Sequence, residues 1–282
     1  MRQPHPKKIT AAELKALMHT TEDSRFDLAL LVVVPVVGIA LLIIFTTYWA
    51  IAGFLLTLIG IVWVTLQIAK ASLTANAVKV SVHNFPEIYH ILKEVVYALD
   101  YKEPVDIYIV SEGTVNAFLA KFFDTKFIIL NSELVEGTLD REASLQIKWV
   151  IARFIGALKA KHHRLFFLRM IVDSIEKIKI FNIFILPYER ATQYSGDQIG
   201  LAVCGDLGQA LHAFQRFMVG NKLSKHVSLK GLQAQKRQMG FFAMVARLLS
   251  SHPHTVDRFH NLLAFAKIRY PHMYTDYIQS RE

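Results

Sequence analysis

The hydrophobic positions of the chain are concentrated in one stretch, residues 28–69, which contains no charged side chain. As a single helix this stretch would extend about 63 Å, whereas about 20 apolar residues are enough to cross the core of a bilayer. The pattern therefore predicts two membrane spans, at about 27–46 and 49–69, joined by a short turn. Tyr48 and Trp49 in that turn are residue types that favour a membrane–water interface. The alternative is a hairpin buried within a soluble protein.

Beyond the hairpin, shorter patterns predict helices and a small sheet. Apolar residues recur at helical spacing over 85–99, polar and apolar residues alternate over 105–110, and an apolar strand pattern covers 126–130. Together with the segment 115–119, these strands suggest a sheet with an available edge. Further along, we expect a long helix from Asp140 or Ser144 past His163, an amphipathic segment over 165–186 ended by Pro187, and helices at about 188–203, 207–219 and 229–249 and after Pro253.

These elements predict an α+β fold, mainly α, in three parts. A basic lead-in covers residues 1–26, the transmembrane hairpin covers 27–70, and a mainly helical domain covers 71–282. No internal repeat or low-complexity tract interrupts the domain.

Charge predicts the side of the membrane on which the domain lies. The turn of the hairpin has no charge, whereas basic residues flank both of its ends: Arg2, Lys7, Lys8, Lys15, Arg25, Lys70 and Lys79. Under the positive-inside rule both ends lie in the cytosol. We therefore expect a multi-pass membrane protein with its C-terminal domain facing the cytosol.

The net charge of +9 and the pI of 9.5 are compatible with binding to nucleic acid or to an anionic membrane surface. No recognition-helix or RNA-binding signature accompanies the basic residues. Since the chain carries a predicted membrane hairpin, we expect membrane lipids and not nucleic acid as the partner. The single cysteine, Cys204, excludes an internal disulfide and is expected to be a small core residue.

The helix expected around residues 144–163 looks like a zinc-peptidase helix without its zinc chemistry. Such helices carry H-E-x-x-H, in which two histidines bind zinc and the glutamate activates water. The corresponding five residues begin with Arg153 and Phe154 and end with Ala157. A guanidinium does not ligate a metal, a phenyl ring is not a base, and a methyl group has no donor atom.

Four further landmarks occur in a fixed order. They are Asn116-Ala117-Phe118, the segment 127–134 (FIILNSEL), the segment 188–200 (YERATQYSGDQIG), and the segment 250–258 (SSHPHTVDR). In this order and spacing the chain resembles the membrane-anchored HtpX-type zinc metallopeptidases. The resemblance implies a gluzincin-like metallopeptidase domain, and it covers residues 80–282 and the preceding hairpin.

The resemblance also implies where the site residues lie. The family's third zinc ligand falls on Gln193, so Arg153, Ala157 and Gln193 replace the three ligands and Phe154 replaces the general base. Asp197 alone matches, at the position of the carboxylate that orients the first histidine. The motifs imply substrate-binding residues at Asn116, Ala117, Phe118, His252 and Arg258. We expect no zinc and no other cofactor.

A buried Asp197 without a nearby metal needs another cation. We hypothesise that an Arg153–Asp197 pair replaces the metal structurally; the alternative is that Arg153 points to solvent. His162 and His163 are interpreted as a basic helix end. His252, His254 and His260 form the one conceivable improvised metal site, although structural roles fit them better.

The leading functional prediction is a catalytically inactive, metallopeptidase-like membrane protein that binds peptides or proteins, or regulates a membrane assembly. The expected partners are membrane lipids and other membrane proteins or polypeptide clients, within a possible hetero-oligomer. Two alternatives stay open: an active metalloendopeptidase with a non-standard site, and a purely structural subunit of a membrane complex. The sequence contains no G-x-S-x-G, Walker A or G-x-G-x-x-G motif that would indicate another chemistry.

Overall fold

A computed structural model describes residues 8–280 except 48, 112, 114, 122–124, 137–143, 175–179, 239 and 251. The expected cap Asp140 and part of the lead-in therefore lie outside the described residues. The helices are α1 (Ala11–Leu17), α2 (Glu22–Thr47), α3 (Trp49–Asn76), α4 (Pro86–Ala98), α5 (Ser132–Glu136), α6 (Ser144–Lys159), α7 (Phe166–Ser174), α8 (Asn182–Cys204), α9 (Leu207–Leu223), α10 (Leu229–Arg237), α11 (Phe241–Leu249), α12 (Thr255–Arg269) and α13 (Pro271–Gln279). The strands are β1 (Val78–Lys79), β2 (Asp106–Val110), β3 (Ala117–Lys121) and β4 (Lys126–Asn131).

The predicted mainly helical fold with a small mixed sheet is confirmed, and two N-terminal helices are long and apolar enough to cross a membrane. Both helices extend beyond the predicted spans, because α2 begins at Glu22 and α3 continues to Asn76. The prediction from the apolar stretch did not include these ends, because polar residues continue a helix as readily as apolar ones. Large apolar side chains of α3, such as Phe54 and Ile59, are exposed, as expected of a surface that faces lipid.

The first of these two apolar helices also packs against the domain. One side of α2 packs Ala29, Val33 and Val37 against apolar residues of α7 and α8. At its start, the carboxylate of Glu22 accepts a hydrogen bond from the Ser195 hydroxyl and lies 3.2 Å from His162 Nε2. The hairpin is therefore joined to the domain by both apolar and polar contacts.

His162 was interpreted as part of a basic helix end, and it lies in the turns just beyond the end of α6 with its side chain buried. Helix α6 ends at Lys159 and turns follow it, with Lys161 at a positive φ of 57°. The turn directs His162 inwards, where its side chain is only 6% exposed beside Glu22. A buried carboxylate needs such a polar partner, and because the two residues are 140 positions apart, local sequence patterns did not reveal the contact.

The sheet has the strand order β1-β2-β4-β3. Strand β2 is parallel to β4, and both outer pairs are antiparallel. Among the described residues, β3 has one strand neighbour, β4, with Ala117 opposite Leu130 and Leu119 opposite Ile128. Strand β3 is therefore an edge strand, as the sequence analysis expected for this segment.

Two glycines bring α6 and α8 into close contact behind the sheet. A Cβ on Gly156 would lie 2.4 Å from Ile199 Cγ2, and a Cβ on Gly200 would lie 2.9 Å from Trp149 Nε1. Trp149 is fully buried, and its ring packs against the Phe214 ring of α9 with an interplanar angle of 57°. These contacts fix α6 and α8 side by side, and the candidate site lies between them.

Helix α8 corrects the expectation that Pro187 ends a segment. The helix begins at Asn182 and passes through Pro187 to Cys204. A proline removes one backbone donor and is best tolerated near a helix start, and Pro187 lies in the second turn. The carbonyl oxygen of Pro187 accepts a hydrogen bond from Arg25 Nη1, 3.1 Å away, which adds a further contact with α2.

Candidate functional site

Three helices bring the predicted site residues together. Helix α6 carries Arg153, Phe154 and Ala157, α8 carries Gln193 and Asp197, and α12 carries Arg258. Arg153 and Ala157 are four residues apart and therefore share one face of α6. The same spacing places Gln193 and Asp197 on one face of α8. The two faces meet, and α12 adds Arg258 from a third direction.

The carboxylate of Asp197 is held between two guanidinium groups. Arg258 donates two hydrogen bonds to it, from Nε to Oδ2 at 2.9 Å and from Nη2 to Oδ1 at 2.7 Å. Arg153 Nε lies 3.3 Å from Oδ1, an ion-pair distance without hydrogen-bond geometry. Asp197 is fully buried, so the two hydrogen bonds from Arg258 are the main interaction that offsets the lost hydration of its carboxylate.

Arg153 is buried and does not point to solvent. Its side chain is 10% exposed, and its Nη2 donates to Gln193 Oε1 at 2.8 Å. The guanidinium also lies over the rings of Trp149 and Phe154. Burial and then the positive charge of Arg258 lower the pKa of Arg153 to about 9, although Asp197 opposes the shift. At neutral pH the group is still charged.

The side chains at the three positions where the resemblance implies zinc ligands do not fit a zinc ion. Arg153 presents a cation, Ala157 presents no donor, and the amide oxygen of Gln193 is occupied by Arg153. Within the described ranges, no group of three His, Cys, Asp or Glu side chains is placed to hold a metal ion. This includes the late histidines His252, His254 and His260.

A cavity of about 210 Å³ lies beside this cluster. Its lining comprises Val115, Asn116, Ala117, Arg153, Phe217, Thr255 and Arg258. Two of the three predicted residues of the edge strand, Asn116 and Ala117, therefore face the same cavity as the two arginines. Phe118 is not among the lining residues, and it is 44% exposed at the surface. Asn116 Oδ1 accepts a hydrogen bond from the Ala117 backbone N–H at 2.9 Å.

His252 lies at the surface next to the cluster and is not among the cavity-lining residues. Its backbone is fixed by Ser250, whose hydroxyl donates to the His252 carbonyl oxygen at 2.7 Å. Partial desolvation of the ring, and then the charge of Arg258, lower the pKa of His252. His252 is therefore neutral at pH 7.

The sequence analysis gave no role to Arg190, which supports this region. Arg190 is buried, and its Nη1 donates to the carbonyl oxygens of Leu248 and Ser250 at 3.1 and 2.8 Å. It thereby ties the end of α11 and the following turn to α8. The quoted motif contains Arg190, but its target carbonyls are about 60 residues away, so no local signal identified this role.

Cys204 is a core residue, as expected. It is 7% exposed, and its thiol lies 3.2 Å from the Leu145 carbonyl oxygen. Burial raises the pKa of the thiol to about 12. A thiol that stays protonated at neutral pH is a poor nucleophile.

Comparison with known proteins finds a family match for one segment of the chain. No curated protein and no solved structure matched the chain. The segment 146–266 contains Arg153, Gln193, Asp197 and Arg258, and so includes the whole cluster described above. This segment, residues 146–266, matches the model of peptidase family M48.

Proposed function

We propose that this chain is a catalytically inactive, membrane-anchored homologue of M48 metallopeptidases of the HtpX type, and that it binds polypeptide segments in a cleft that no longer cleaves them. The observation that carries the proposal is the cluster of Arg153, Gln193, Asp197 and Arg258. In this arrangement a guanidinium and an amide satisfy each other at positions that would hold zinc ligands. A hydrolase of this class needs a metal-bound water and a general base, and Phe154 supplies no base.

Strand β3 supports the binding part of the proposal. In an antiparallel pair, alternate residues point their backbone groups towards the partner strand. The Asn131 N–H donates to the Asn116 carbonyl oxygen, so residues 116, 118 and 120 bond to β4 and Leu119 points its N–H and C=O away from it. An extended peptide adds to such an edge through backbone hydrogen bonds, which require no metal.

The hairpin supports the membrane part. We infer that α2 and α3 cross a bacterial plasma membrane and that the basic flanks hold the domain at the cytosolic face. Lipids then contact the exposed apolar side chains of both helices. Other membrane proteins or polypeptide clients are the proposed partners in the cleft, within a possible hetero-oligomer.

The proposal is tested by measuring zinc per chain. The full chain, purified in detergent and equilibrated with stoichiometric zinc, is washed and analysed by elemental mass spectrometry. We expect a zinc content near zero, because the three ligand positions offer a cation, a methyl group and an occupied amide.

The matched control is a chain with Arg153→His, Phe154→Glu, Ala157→His and Gln193→Glu, which restores the ligand set and the base on the same helices. Zinc retained by this variant and not by the original chain would show that the side chains, and not the scaffold, exclude the metal. About one tightly held zinc in the original chain would overturn the proposal.

A further inference from the structure

The cavity beside the cluster contains more positive than negative charge. Arg153 and Arg258 both line it, and the one carboxylate that pairs with them, Asp197, lies behind them and is fully buried. Two cations against one anion leave an excess of one positive charge among the described residues at this wall. A buried charge that is not compensated is costly in a protein, so this excess favours an anionic ligand.

Both guanidiniums have donors that the protein leaves available. Arg153 directs Nη2 to Gln193 and Nε towards Asp197, and its Nη1 makes no hydrogen bond with the described residues. Arg258 uses Nε and Nη2 for Asp197, and its Nη1 has no partner within the described part of the chain. Carboxylates accept two parallel bonds from arginine with good geometry. The available donors are therefore of the type that recognises a carboxylate.

The N-terminus of α12, which also lines the cavity, suits the same anionic ligand. Thr255 is the first residue of α12, a helix of 15 residues, and the N-terminus of a helix carries partial positive charge. Asp257, the acidic residue of that first turn, is buried and does not line the cavity. At about 30 Å³ of liquid volume for each water, a cavity of about 210 Å³ has room for a carboxylate and its adjoining atoms.

The direction of β3 determines which end of a bound peptide reaches this cavity. The lining residues 115–117 stand at the start of the strand, which then runs to Lys121. A peptide added antiparallel to β3 runs the other way, so its C-terminal end arrives at the cavity. A parallel peptide would place its N-terminal ammonium beside the two arginines, an arrangement disfavoured by like-charge repulsion.

We propose that the cavity between the start of β3 and the guanidiniums of Arg153 and Arg258 binds the terminal carboxylate of a polypeptide that lies antiparallel along β3. The proposal rests on the proposed peptide-binding function. In this proposal Arg153, at the position of the first metal ligand, binds the free C-terminal carboxylate of a client polypeptide. An acidic side chain within a peptide has the same chemistry, and the experiment separates the two sources.

The test uses one nonapeptide pool, randomised without Asp and Glu, in three forms: a free C-terminal acid, a C-terminal amide, and an amide with one internal glutamate. The immobilised full chain, in detergent, is incubated with an equimolar mixture, and retained peptides are counted by mass spectrometry. We expect the acid form to be enriched over both amides by about tenfold to a hundredfold, the usual effect of hydrogen bonds to a charged group.

Three variants separate the contributions. Arg153→Met should reduce the enrichment of the acid form to about one, whereas Arg237→Met, which removes an exposed arginine of α10, should leave it unchanged. Leu119→Pro removes the outward N–H of β3 and should lower retention of all three forms.

Each other outcome is decisive. Equal retention of acid and amide, still lost in Leu119→Pro, would overturn the carboxylate proposal and leave the peptide-binding function intact. Equal retention of the acid and the internal-glutamate form, or an enrichment that persists in Arg153→Met, would also overturn the terminal-carboxylate proposal. No retention of any form by the original chain would overturn the proposed function together with it.

Discussion

Asp197 contacts two guanidinium groups in different ways. Arg258 gives it two hydrogen bonds, whereas Arg153 approaches only to 3.3 Å and directs its hydrogen bond to Gln193. Burial and repulsion by Arg258 outweigh the attraction of Asp197 and lower the pKa of Arg153 to about 9. Folding therefore disfavours the charge of Arg153, and Arg258 is the residue that stabilises the buried carboxylate.

This asymmetry predicts unequal costs of removing the two arginines. Arg258→Met should reduce the free energy of unfolding by about 3–5 kcal/mol, because it leaves a buried carboxylate without hydrogen bonds from a cation. Arg153→Met should change it by less than about 1 kcal/mol, since the methionine packs on the rings of Trp149 and Phe154 and a desolvated cation is removed.

The measurement is the denaturant midpoint of the full chain in detergent, with the two variants as controls for each other. Equal destabilisation by both would contradict this account and would restore the view that Arg153 is the structural replacement for a metal. A larger effect of Arg153→Met would do the same.

That Arg153 and Ala157 share one helix face, and that Gln193 and Asp197 share another, could be predicted from sequence, because helix geometry places residues four apart on the same side. The burial of Arg153 and its contact with Asp197 were also expected. The stronger Arg258–Asp197 pair was not predicted as a contact. The two residues are 61 positions apart on separate helices, and no pattern within one element records how separate helices cross.

At the scale of elements, the contact between α6 and α8 depends on glycine. Gly156→Ala should reduce the free energy of unfolding by about 1–3 kcal/mol, because the added methyl would lie 2.4 Å from a side chain that is itself fully buried. The matched control is Gly60→Ala in α3, where nothing lies within 4 Å of the added atom. Denaturant midpoints of both variants in detergent check the prediction. It would be contradicted if both variants behaved alike.

Element types were predicted better than element ends. The helix predicted over 85–99 spans Pro86–Ala98, and the strand predicted over 105–110 spans Asp106–Val110. Both types could be predicted because the period of the apolar residues shows which face of an element is buried. The ends of α6 and α8 were wrong because tertiary contacts decide them. The short strand β1 was not predicted, because two residues are too few to show an alternation of polar and apolar side chains.

At the scale of the whole molecule, Glu22 connects the hairpin to the domain. Glu22→Ala should leave the Ser195 hydroxyl and the buried His162 without their acidic partner, and so weaken the start of α2. We expect amide exchange over residues 22–26 to become about tenfold faster, which corresponds to about 1.4 kcal/mol. Hydrogen exchange measured by mass spectrometry in detergent checks this.

Asp23→Ala is the control, because Asp23 is exposed and, within the described part of the chain, its one ion pair is a long contact of 3.8 Å with Lys15. An equal increase in exchange for both variants would show that Glu22 does not hold the helix. The prediction is independent of the cleft, since neither residue lies near the cavity lining.

The absence of a flexible joint between hairpin and domain has a geometric consequence. Helix α2 is clamped to the domain at Glu22, and α3 ends at Asn76, only one residue before β1 enters the sheet. A cleft connected to α2 and α3 in these two ways cannot move independently of the two helices, as a domain on a flexible linker can. In the proposed membrane-anchored chain the cleft would stay close to the bilayer, and the tails of neighbouring membrane proteins, which are among the proposed partners, would meet it at high effective concentration.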